Sequence, residues 1–466
     1  MTLTNLTADA ARDIAHIVHP YTNLDAHRSK GPLIIDRGEG VYVYDEHGQR
    51  YLEGMAGLWS TSLGFSEPRL AEAASRQFAR LPYSQIFNHR SHKPAIELAE
   101  TLVKLAPAGL NHVLFANSGS EANDQAAKLV WYYNNQRGRP AKKKLIGRYH
   151  GYHGVTVMAA SLTGLSPVHA DFDLPIAGVL HTDAPSYYHY GLDGETPESF
   201  VNRIINNLET LIQREGPETI GAFFAEPVNG AGGVIVPPAG YFARLQALLR
   251  KYDILFVVDE VITGFGRTGD ILGSFTFALR PDILTVAKAL SSSYLPISAV
   301  LLTDEINDAL VAGSAKNGAF AHGVTYAAHP VCAAVALETL KIYEERDIVG
   351  HVRKVARQFD KRLKQFADHP LVGNVRGVGL LGGIELARDP AKRQAFDAKF
   401  GLGAYVQEQA LKHGVIVRGI RDTIAICPPL IINEDEIDQL FDGISKALDE
   451  TLLHARSQGW LPRAAE

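Results

Sequence analysis

Apolar and polar positions follow a repeating order in the middle of the chain. Between residues 111 and 288, short apolar runs are each followed by a turn of small or polar residues. The runs are HVLFA, KKLIG, AFFA, ILFVV and DILTVA. Alternation of strand, turn and helix predicts an α/β fold with a mostly parallel sheet covered by helices. The apolar run over 296–303 follows a short connection, so we predict that it is antiparallel to its neighbour.

The flanking regions have different patterns. Helical periodicity predicts helices over 8–18, 68–81, 94–105, 331–346, 351–367 and 434–453, and alternation predicts a hairpin over 41–54 and strands near 375–386 and 415–426. We therefore expect an N-terminal segment (1–60) that belongs to a small domain or a subunit interface. A large domain (61–328) and a small α+β domain (329–466) follow.

Composition narrows the class of protein. The 466 residues are 46% hydrophobic with a formal net charge of -5, which gives no basic footprint for nucleic acid. The run Lys142-Lys143-Lys144 is expected to be a solvated connection. Cys332 and Cys427 lie far apart without metal-ligand spacing, so neither a disulfide framework nor a zinc site is expected. With no signal-peptide pattern and no membrane-spanning apolar stretch, we expect a cytoplasmic protein.

A lysine and an aspartate follow two of the apolar runs. Asp259 ends ILFVV, and Lys288 follows DILTVA. Ligands of open parallel sheets bind beyond the carboxyl ends of the strands, so both side chains would enter one crevice. The pair suits pyridoxal phosphate (PLP), because the lysine amine can bond the aldehyde carbon and the carboxylate can pair with the pyridinium nitrogen. The alternative is a pair of ordinary solvated groups, since most lysines lie on the surface.

Two glycine-containing motifs have to be considered as phosphate sites, and only the first has the right context. NSGSEAN (117–123) opens a helix after a strand, which suits phosphate binding at free backbone N–H groups. The alternative is a plain capped turn with Ser120 as the N-cap and Glu121 in the first turn. GFGRTG (264–269) matches a dinucleotide fingerprint but starts about five residues after the strand and precedes no amphipathic helix. We expect it to be a flexible loop near a ligand or a partner subunit.

RYHGYHG (148–154) ends another predicted strand with aromatic side chains between glycines. Tyr152 could stack on a planar ligand. His153 is a weaker candidate, because a histidine in such a turn is more often a hydrogen-bonded structural group. Glu226, which follows AFFA, adds an acidic group at the same sheet edge, or else caps a loop.

Taken together, these stretches resemble the class III aminotransferases of PLP fold type I, particularly the ω-aminotransferases that use amines or ω-amino acids with pyruvate. The matching stretches are NSGSEANDQAAKLV, RYHGYHG, FFAEPVNGAGGVIVPP, DEVITGFGRTG, AKALSSSYLPISAV, HGVTYAAHP and ICPPLII. The resemblance implies a seven-stranded sheet, PLP as cofactor and a homodimer or larger homo-oligomer, without nucleic acid or membrane partners.

The resemblance also implies roles for single residues. Lys288 and Asp259 would be the catalytic pair on PLP. The other cofactor contacts would be Gly119, Ser120, Tyr152, His153, Glu226, Val261 and Thr325, with Thr325 supplied by the other subunit. The substrate pocket would contain Tyr21, Leu58, Trp59, Phe87, Tyr152, Ala231 and Arg418. Trp59 and Phe87 could equally be plain core aromatics.

One position departs from the family pattern. Arg418 matches the arginine that swings to bind a substrate carboxylate, but Arg421 stands where the family usually has a small residue. Three residues along a strand would turn Arg421 to the opposite face, so we expect Arg418 to bind the carboxylate. Arg421 could displace it, assist it or lie outside the site.

The resemblance implies transfer of an amino group from an amine or ω-amino acid to pyruvate or a related keto acid. The same fold and motifs also serve PLP aminomutases and decarboxylases. A nicotinamide oxidoreductase that uses GFGRTG and a non-catalytic binding protein are further alternatives. The sequence leaves open the physiological donor, the preferred acceptor, the enantiopreference, the choice between Arg418 and Arg421, and dimer against tetramer.

Overall fold

The structure is a computed structural model that describes residues 6–462. The strands are β1 (Ile35–Glu39), β2 (Tyr42–Asp45), β3 (Arg50–Glu53), β4 (Leu110–Ala116), β5 (Lys144–Arg148), β6 (Val179–Thr182), β7 (Ile220–Ala225), β8 (Leu255–Asp259), β9 (Ile283–Val286), β10 (Ser298–Thr303), β11 (Val372–Val378), β12 (Leu381–Leu386), β13 (Val415–Ile416), β14 (Arg418–Ile420) and β15 (Thr423–Ile426). They form three sheets.

The helices lie before, between and after these strands. They are α1 (Ala8–His16), α2 (Leu24–Lys30), α3 (Ala56–Trp59), α4 (Pro68–Arg80), α5 (Lys93–Leu105), α6 (Gly119–Gln136), α7 (Val157–Leu162), α8 (Ser166–His169), α9 (Tyr187–Tyr190), α10 (Pro197–Glu215), α11 (Tyr241–Lys251), α12 (Gly273–Thr276), α13 (Asp304–Asn317), α14 (Pro330–Glu345), α15 (Ile348–Lys364), α16 (Leu402–Lys412) and α17 (Glu434–Ser457). Within the described residues, no helix is long and apolar enough to cross a bilayer.

The largest sheet has seven strands in the order β4-β10-β9-β8-β7-β5-β6. Strand β10 is antiparallel to both neighbours, and the five strands from β9 to β6 are parallel to one another. The predicted α/β fold with a mostly parallel seven-stranded sheet is therefore confirmed, as is the antiparallel strand within 296–303. The edge strand β6 was not predicted, because its residues, VLHT, do not form a continuous apolar run.

Side-chain alternation along the parallel strands builds a core on each face of this sheet. On β7, Phe224 packs with buried residues of α6 and α13, whereas Phe223 and Ala225 pack with those of α10 and α11. The strand is buried along its whole length, as expected of a strand with helices on both sides. The helices cover the faces and leave the carboxyl ends of the strands for a site.

The two smaller sheets join the ends of the chain. An antiparallel sheet in the order β11-β12-β15-β14 belongs to the C-terminal part, and the sheet β1-β2-β3-β13 combines three N-terminal strands with one from the C-terminal part. In the second sheet, β13 is parallel to β3. This pairing supports the expected association of the N-terminal segment with the small domain, while the domain limits stay a prediction.

Two buried or half-buried arginines join the large sheet region to the C-terminal part. Arg267, in the GFGRTG motif, donates to the carbonyl oxygens of Leu380 and Pro428. In the other direction, Arg376 on β11 donates to the carbonyl of Gly233. The loop over 262–269 is buried throughout, so the prediction of a flexible loop is wrong: Arg267 holds it against the C-terminal part.

Two local predictions also need correction. Helix α1 ends at His16 and not at residue 18, because the next residue has an extended backbone. The lysine triplet is not solvated: Lys142 is buried and donates to the carbonyl of Tyr252 at 3.1 Å. Burial lowers the pKa of Lys142. Its aliphatic stem packs inside while a backbone carbonyl satisfies the ammonium.

Candidate active site

Four charged side chains stand at one edge of the large sheet. Asp259 ends β8, Arg148 ends β5, and Glu226 follows β7 directly. Lys288 follows β9 after one intervening residue and has the left-handed φ of 47°. Because β9, β8, β7 and β5 are adjacent and parallel, their carboxyl ends bring these groups to the same crevice.

The carboxylate of Asp259 is buried and held by three donors. Its Oδ2 accepts from Asn123 Nδ2 at 2.8 Å and lies 2.9 Å from Nδ1 of His153. Its Oδ1 accepts from the backbone N–H of Val261 at 3.0 Å. These contacts fix the direction of the carboxylate, which is the requirement for pairing with one atom of a planar ligand.

The imidazole of His153 therefore contacts the carboxylate of Asp259. Its ring is buried, and its backbone N–H donates to the hydroxyl of Thr163 at 2.8 Å. The backbone carbonyl of the same residue accepts from Asn123 Nδ2 at 2.8 Å. The structure places His153 as a positioning residue for the carboxylate, in keeping with the structural alternative for this histidine.

The amine of Lys288 lies in the field of two carboxylates. Burial lowers its pKa, while Asp259 and Glu226 act in the opposite direction and raise it. Within residues 6–462, its side chain forms neither a hydrogen bond nor an ion pair. A half-buried amine with no fixed partner is available to react, and a lowered pKa increases its neutral, nucleophilic fraction.

Glu226 is buried and accepts two backbone hydrogen bonds. Its Oε1 accepts from the N–H of Tyr152 at 2.9 Å, and its Oε2 accepts from Gly230 at 3.0 Å. Burial raises its pKa to about 7, an effect that nearby Asp259 adds to and that His153 opposes. Glu226 thus joins the turn of the RYHGYHG motif to the loop that contains Ala231.

Helix α6 begins where the phosphate was predicted. Its N-cap is Ser118, whose Oγ accepts from the N–H of Glu121 at 3.2 Å. The prediction of Ser120 as N-cap is wrong, because Ser118 has the extended backbone of a cap while Ser120 already lies in the helix. The backbone N–H groups at the start of a helix have no acceptor within the helix, which suits an anion such as phosphate.

Close backbone packing surrounds this helix start. A Cβ on Gly119 would come within 3.0 Å of the side chain of Val261, and one on Gly154 would collide with Oγ of Ser120. The same Oγ accepts from the N–H of Val155 at 3.1 Å. Gly119, Ser120 and Val261 therefore lie together, with the RYHGYHG turn packed against them.

Three residues that were predicted for the substrate pocket, Tyr21, Tyr152 and Arg418, lie close to one another. The hydroxyl of Tyr21 donates to that of Tyr152 at 3.3 Å, with ring centroids 6.4 Å apart. Burial lowers the pKa of Arg418, and Tyr152 and Tyr21 partly oppose this effect. Arg418 forms no side-chain hydrogen bond or ion pair with another residue of the described part. It is a half-buried cation without a fixed partner.

The remaining predicted site residues occupy two different environments. Trp59 is buried in a cluster with Val228, Ile262 and Cys427, which agrees with the core alternative for this residue. Leu58 and Phe87 are exposed, at 58% and 40%. A Cβ on Gly323 would meet Phe87 at 2.9 Å, so Phe87 lies beside the segment that carries Thr325.

Thr325 lies in this exposed patch. Its carbonyl oxygen accepts from the hydroxyl of Tyr83 at 2.9 Å, and its neighbour Tyr326 is exposed. Within one chain, no hydrogen bond joins Thr325 to Gly119 or Ser120 among the residues described. Its predicted contact with the phosphate site across a subunit interface stays a prediction.

Arg421 does not lie on a strand, as the sequence argument assumed. Strand β14 ends at Ile420 and β15 begins at Thr423, so Arg421 lies in the turn between them with φ of 52°. The argument from strand alternation is therefore wrong for this residue. The arginine is exposed and contributes to the low pKa of His150, about 4, for which burial is the larger cause.

Sequence reasoning missed two members of the site. Asn123 is buried, and its Oδ1 accepts from the hydroxyl of Thr285 while its amide holds Asp259. Arg148 is fully buried and donates to the carbonyl of Glu226 at 2.6 Å. Both residues are in the quoted motifs. A polar residue on an apolar helix face and an arginine that ends a buried strand were the available signals.

Comparison with known proteins identifies the family. The model of the family Aminotransferase class-III matches residues 24–448. The mitochondrial gamma-aminobutyrate transaminase 1 of Oryza sativa subsp. indica is 51% identical over 421 residues, which are 90% of this chain and 82% of that protein.

Two solved structures agree with this match. The omega transaminase from Pseudomonas jessenii in complex with PMP has a TM-score of 0.95 at 50% identity, covering 96% of this chain and 99% of that one. A transaminase solved with L-Ala has a TM-score of 0.89 at 51% identity, covering 91% and 100%. The chain belongs to the class III aminotransferases, PLP-dependent transferases of fold type I.

Proposed function

We propose that this aminotransferase moves an amino group from an amine or an ω-amino acid to pyruvate or a related keto acid. The observation that carries the proposal is the position of Arg418, a cation without a fixed partner beside Tyr21 and Tyr152 and within the field of Lys288. Such a cation suits a carboxylate that is present in only some of the substrates.

The residues at the sheet edge fit the cofactor of this family. The amine of Lys288 has no fixed partner, the carboxylate of Asp259 is held in one direction, and the Gly119 backbone lies where a side chain would collide with Val261. When bound, PLP supplies an aromatic ring that withdraws electrons from the substrate's amine-bearing carbon. Asp259 would hold the pyridinium nitrogen, and the first turn of α6 would hold the phosphate.

Lys288 would move the proton in both halves of the reaction. Its pKa is lowered by burial, so a larger fraction of the amine is neutral at physiological pH and can accept a proton from the substrate carbon. The same amine can return that proton to the cofactor side. Glu226 would hold the Tyr152 backbone, and with it the ring that covers the bound cofactor.

Arg418 would bind the carboxylate of the keto acid. A guanidinium donates two parallel hydrogen bonds to a carboxylate, and its long side chain can move aside for an amine whose far end is apolar. Because no residue of the described part holds it, this movement breaks no ion pair.

The names of similar proteins support both substrate classes. The Oryza sativa relative is named a gamma-aminobutyrate transaminase, which indicates an ω-amino acid donor. A further solved structure, 49% identical with a TM-score of 0.95, is an omega transaminase variant engineered for synthesis of bulky amines. The transaminase solved with L-Ala supports the acceptor, because L-Ala is the amination product of pyruvate.

We also propose that the active unit is a homodimer or a larger homo-oligomer. Phe87, Leu58 and Tyr326 are large hydrophobic residues that one chain leaves exposed, and Thr325 precedes Tyr326 in the chain. An interface over this surface would be of the obligate class, above roughly 2,000 Å². Sedimentation of active, PLP-loaded protein at monomer mass would refute this assembly. Because Cys332 and Cys427 are both free, we propose a reducing, cytoplasmic location.

A donor panel tests the function. PLP-loaded protein is mixed with pyruvate and γ-aminobutyrate, β-alanine, a diamine or an aromatic amine, and alanine formation is measured. We expect alanine with at least one donor and none with the Lys288→Ala variant. Carbon dioxide release or an intramolecular amine shift without alanine would instead indicate a decarboxylase or an aminomutase.

A further inference from the structure

A cluster of two imidazoles and a carboxylate lies outside the site described above, in the N-terminal segment. Asp13 lies on α1, His27 lies on α2, and His19 lies in the connection between these helices. Nε2 of His19 is 2.7 Å and Nε2 of His27 is 3.1 Å from the same oxygen, Oδ1 of Asp13. Three separate parts of the segment thus direct polar atoms to one point.

The cluster is partly shielded from solvent. The side chains of His27, Asp13 and His19 are 10%, 17% and 27% exposed, and the two imidazole centroids are 4.2 Å apart. Carboxylate oxygen and neutral imidazole nitrogen are the forms in which these side chains bind a metal ion.

These donors suit a transition metal better than an alkaline-earth ion. All three ligand atoms lie within 4.8 Å of one another. Two imidazole nitrogens and one carboxylate oxygen are typical ligands of Zn²⁺, Co²⁺ or Ni²⁺, whereas Ca²⁺ and Mg²⁺ prefer oxygen alone. With metal–ligand bonds of about 2.0–2.1 Å, tetrahedral ligand atoms are about 3.3 Å apart. To reach this separation, the contact between Asp13 and His19 would lengthen by about 0.6 Å and that between Asp13 and His27 by about 0.2 Å.

We propose that Asp13, His19 and His27 form a binding site for one divalent transition metal of the Zn²⁺ class, with the remaining coordination position open to water. The metal would take the place of the two imidazole N–H donors that now share Asp13 Oδ1. It would join α1, the connection and α2 by bonds that do not depend on the cofactor.

The site has a structural consequence for the substrate pocket. Tyr21 lies between His19 and His27 in the chain, has the left-handed φ of 53°, and donates its hydroxyl to Tyr152. A metal that fixes both flanking histidines would hold the segment that carries Tyr21. Metal binding should therefore protect this segment from proteolysis.

Cobalt binding tests the site directly. The full-length, PLP-loaded protein, freed of any polyhistidine tag, is titrated with Co²⁺ after treatment with a chelator, and the d–d absorption is recorded. We expect one Co²⁺ per chain with the intensity of a four- or five-coordinate ion, displaced by Zn²⁺. In Asp13→Asn and His27→Asn, binding should weaken at least tenfold.

His16→Asn is the matched control. His16 lies on α1 three residues from Asp13 and is exposed, outside the cluster, so its removal should leave Co²⁺ binding unchanged. Equal loss in His16→Asn and His27→Asn would mean that exposed imidazoles bind the ion, and it would overturn the proposal. So would a wild-type protein without tight Co²⁺ binding.

A second measurement keeps the test independent of folding defects. Limited proteolysis of the wild type with and without Zn²⁺ should show slower cleavage within residues 14–30 when Zn²⁺ is present. The His19→Asn variant should show no such change. If Zn²⁺ protects His19→Asn as well as the wild type, the cluster is not the metal site.

Discussion

The two halves of the site differ in how completely one chain builds them. On the cofactor side, Asp259 has three hydrogen-bond donors and Glu226 has two, and both are buried. On the substrate side, Arg418 has no fixed partner, and Tyr21 and Leu58 are largely exposed. The chain thus fixes the constant part of the chemistry and leaves the variable part to substrates and, we propose, a second subunit.

The largest effect is expected when the amine of Lys288 is removed. Lys288→Ala should leave the fold intact, abolish alanine formation with every donor and prevent covalent attachment of PLP, because the amine is both nucleophile and proton carrier. Mass spectrometry after borohydride reduction and the donor panel measure the two effects. Near wild-type turnover in this variant would exclude the role of Lys288.

Removal of the Asp259 carboxylate, on the cofactor side of the site, should have the next largest effect. Asp259→Asn removes the negative charge and turns an amide toward the donors Asn123 and His153. We expect the barrier of the amine half-reaction to rise by about 2 to 5 kcal/mol, measured by single-turnover absorbance.

A carboxylate at the opposite end of the sheet gives the control. Asp304→Asn removes a charge that Asn111 and His112 contact, and it should leave this half-reaction unchanged. A change of less than a few-fold in Asp259→Asn would contradict the pairing with the pyridinium nitrogen.

On the substrate side of the site, removal of the Arg418 guanidinium should impair one half-reaction and spare the other. Arg418→Ala should raise the pyruvate KM at least tenfold, about 1.4 kcal/mol or more, and leave the half-reaction with a simple aromatic amine nearly unchanged. Arg421→Ala should have a much smaller effect, because this exposed arginine lies in a turn. A larger pyruvate defect in Arg421→Ala would move carboxylate binding to that residue.

The smallest expected effect concerns the start of helix α6, on the cofactor side of the site. Ser118→Ala should lower the free energy of unfolding by about 1 kcal/mol, because it removes the N-cap of α6. Ser120→Ala should have a smaller effect, since it removes only the acceptor of one exposed hydrogen bond from the N–H of Val155. Chemical denaturation of the PLP-free proteins measures both, and the reverse order would restore Ser120 as the cap.

The sequence predicted the cofactor side of the site better than the substrate side. Buried parallel strands produce apolar runs, so the ends of β8 and β9, and with them Asp259 and Lys288, could be located from the pattern alone. The cap at Ser118 and the turn at Arg421 depend on single backbone angles that periodicity does not report. Asn123 was missed because its role depends on a carboxylate more than a hundred residues away in the chain.

The arginines that join the large sheet region to the C-terminal part have an evolutionary consequence. Arg267 and Arg376 donate to main-chain carbonyls of Leu380, Pro428 and Gly233, and every amino acid supplies such an acceptor. Mutations at the receiving positions therefore keep the hydrogen-bond acceptor as long as the backbone keeps its path. The sheet that carries Arg418 can therefore vary in sequence while its attachment to the large sheet region is kept.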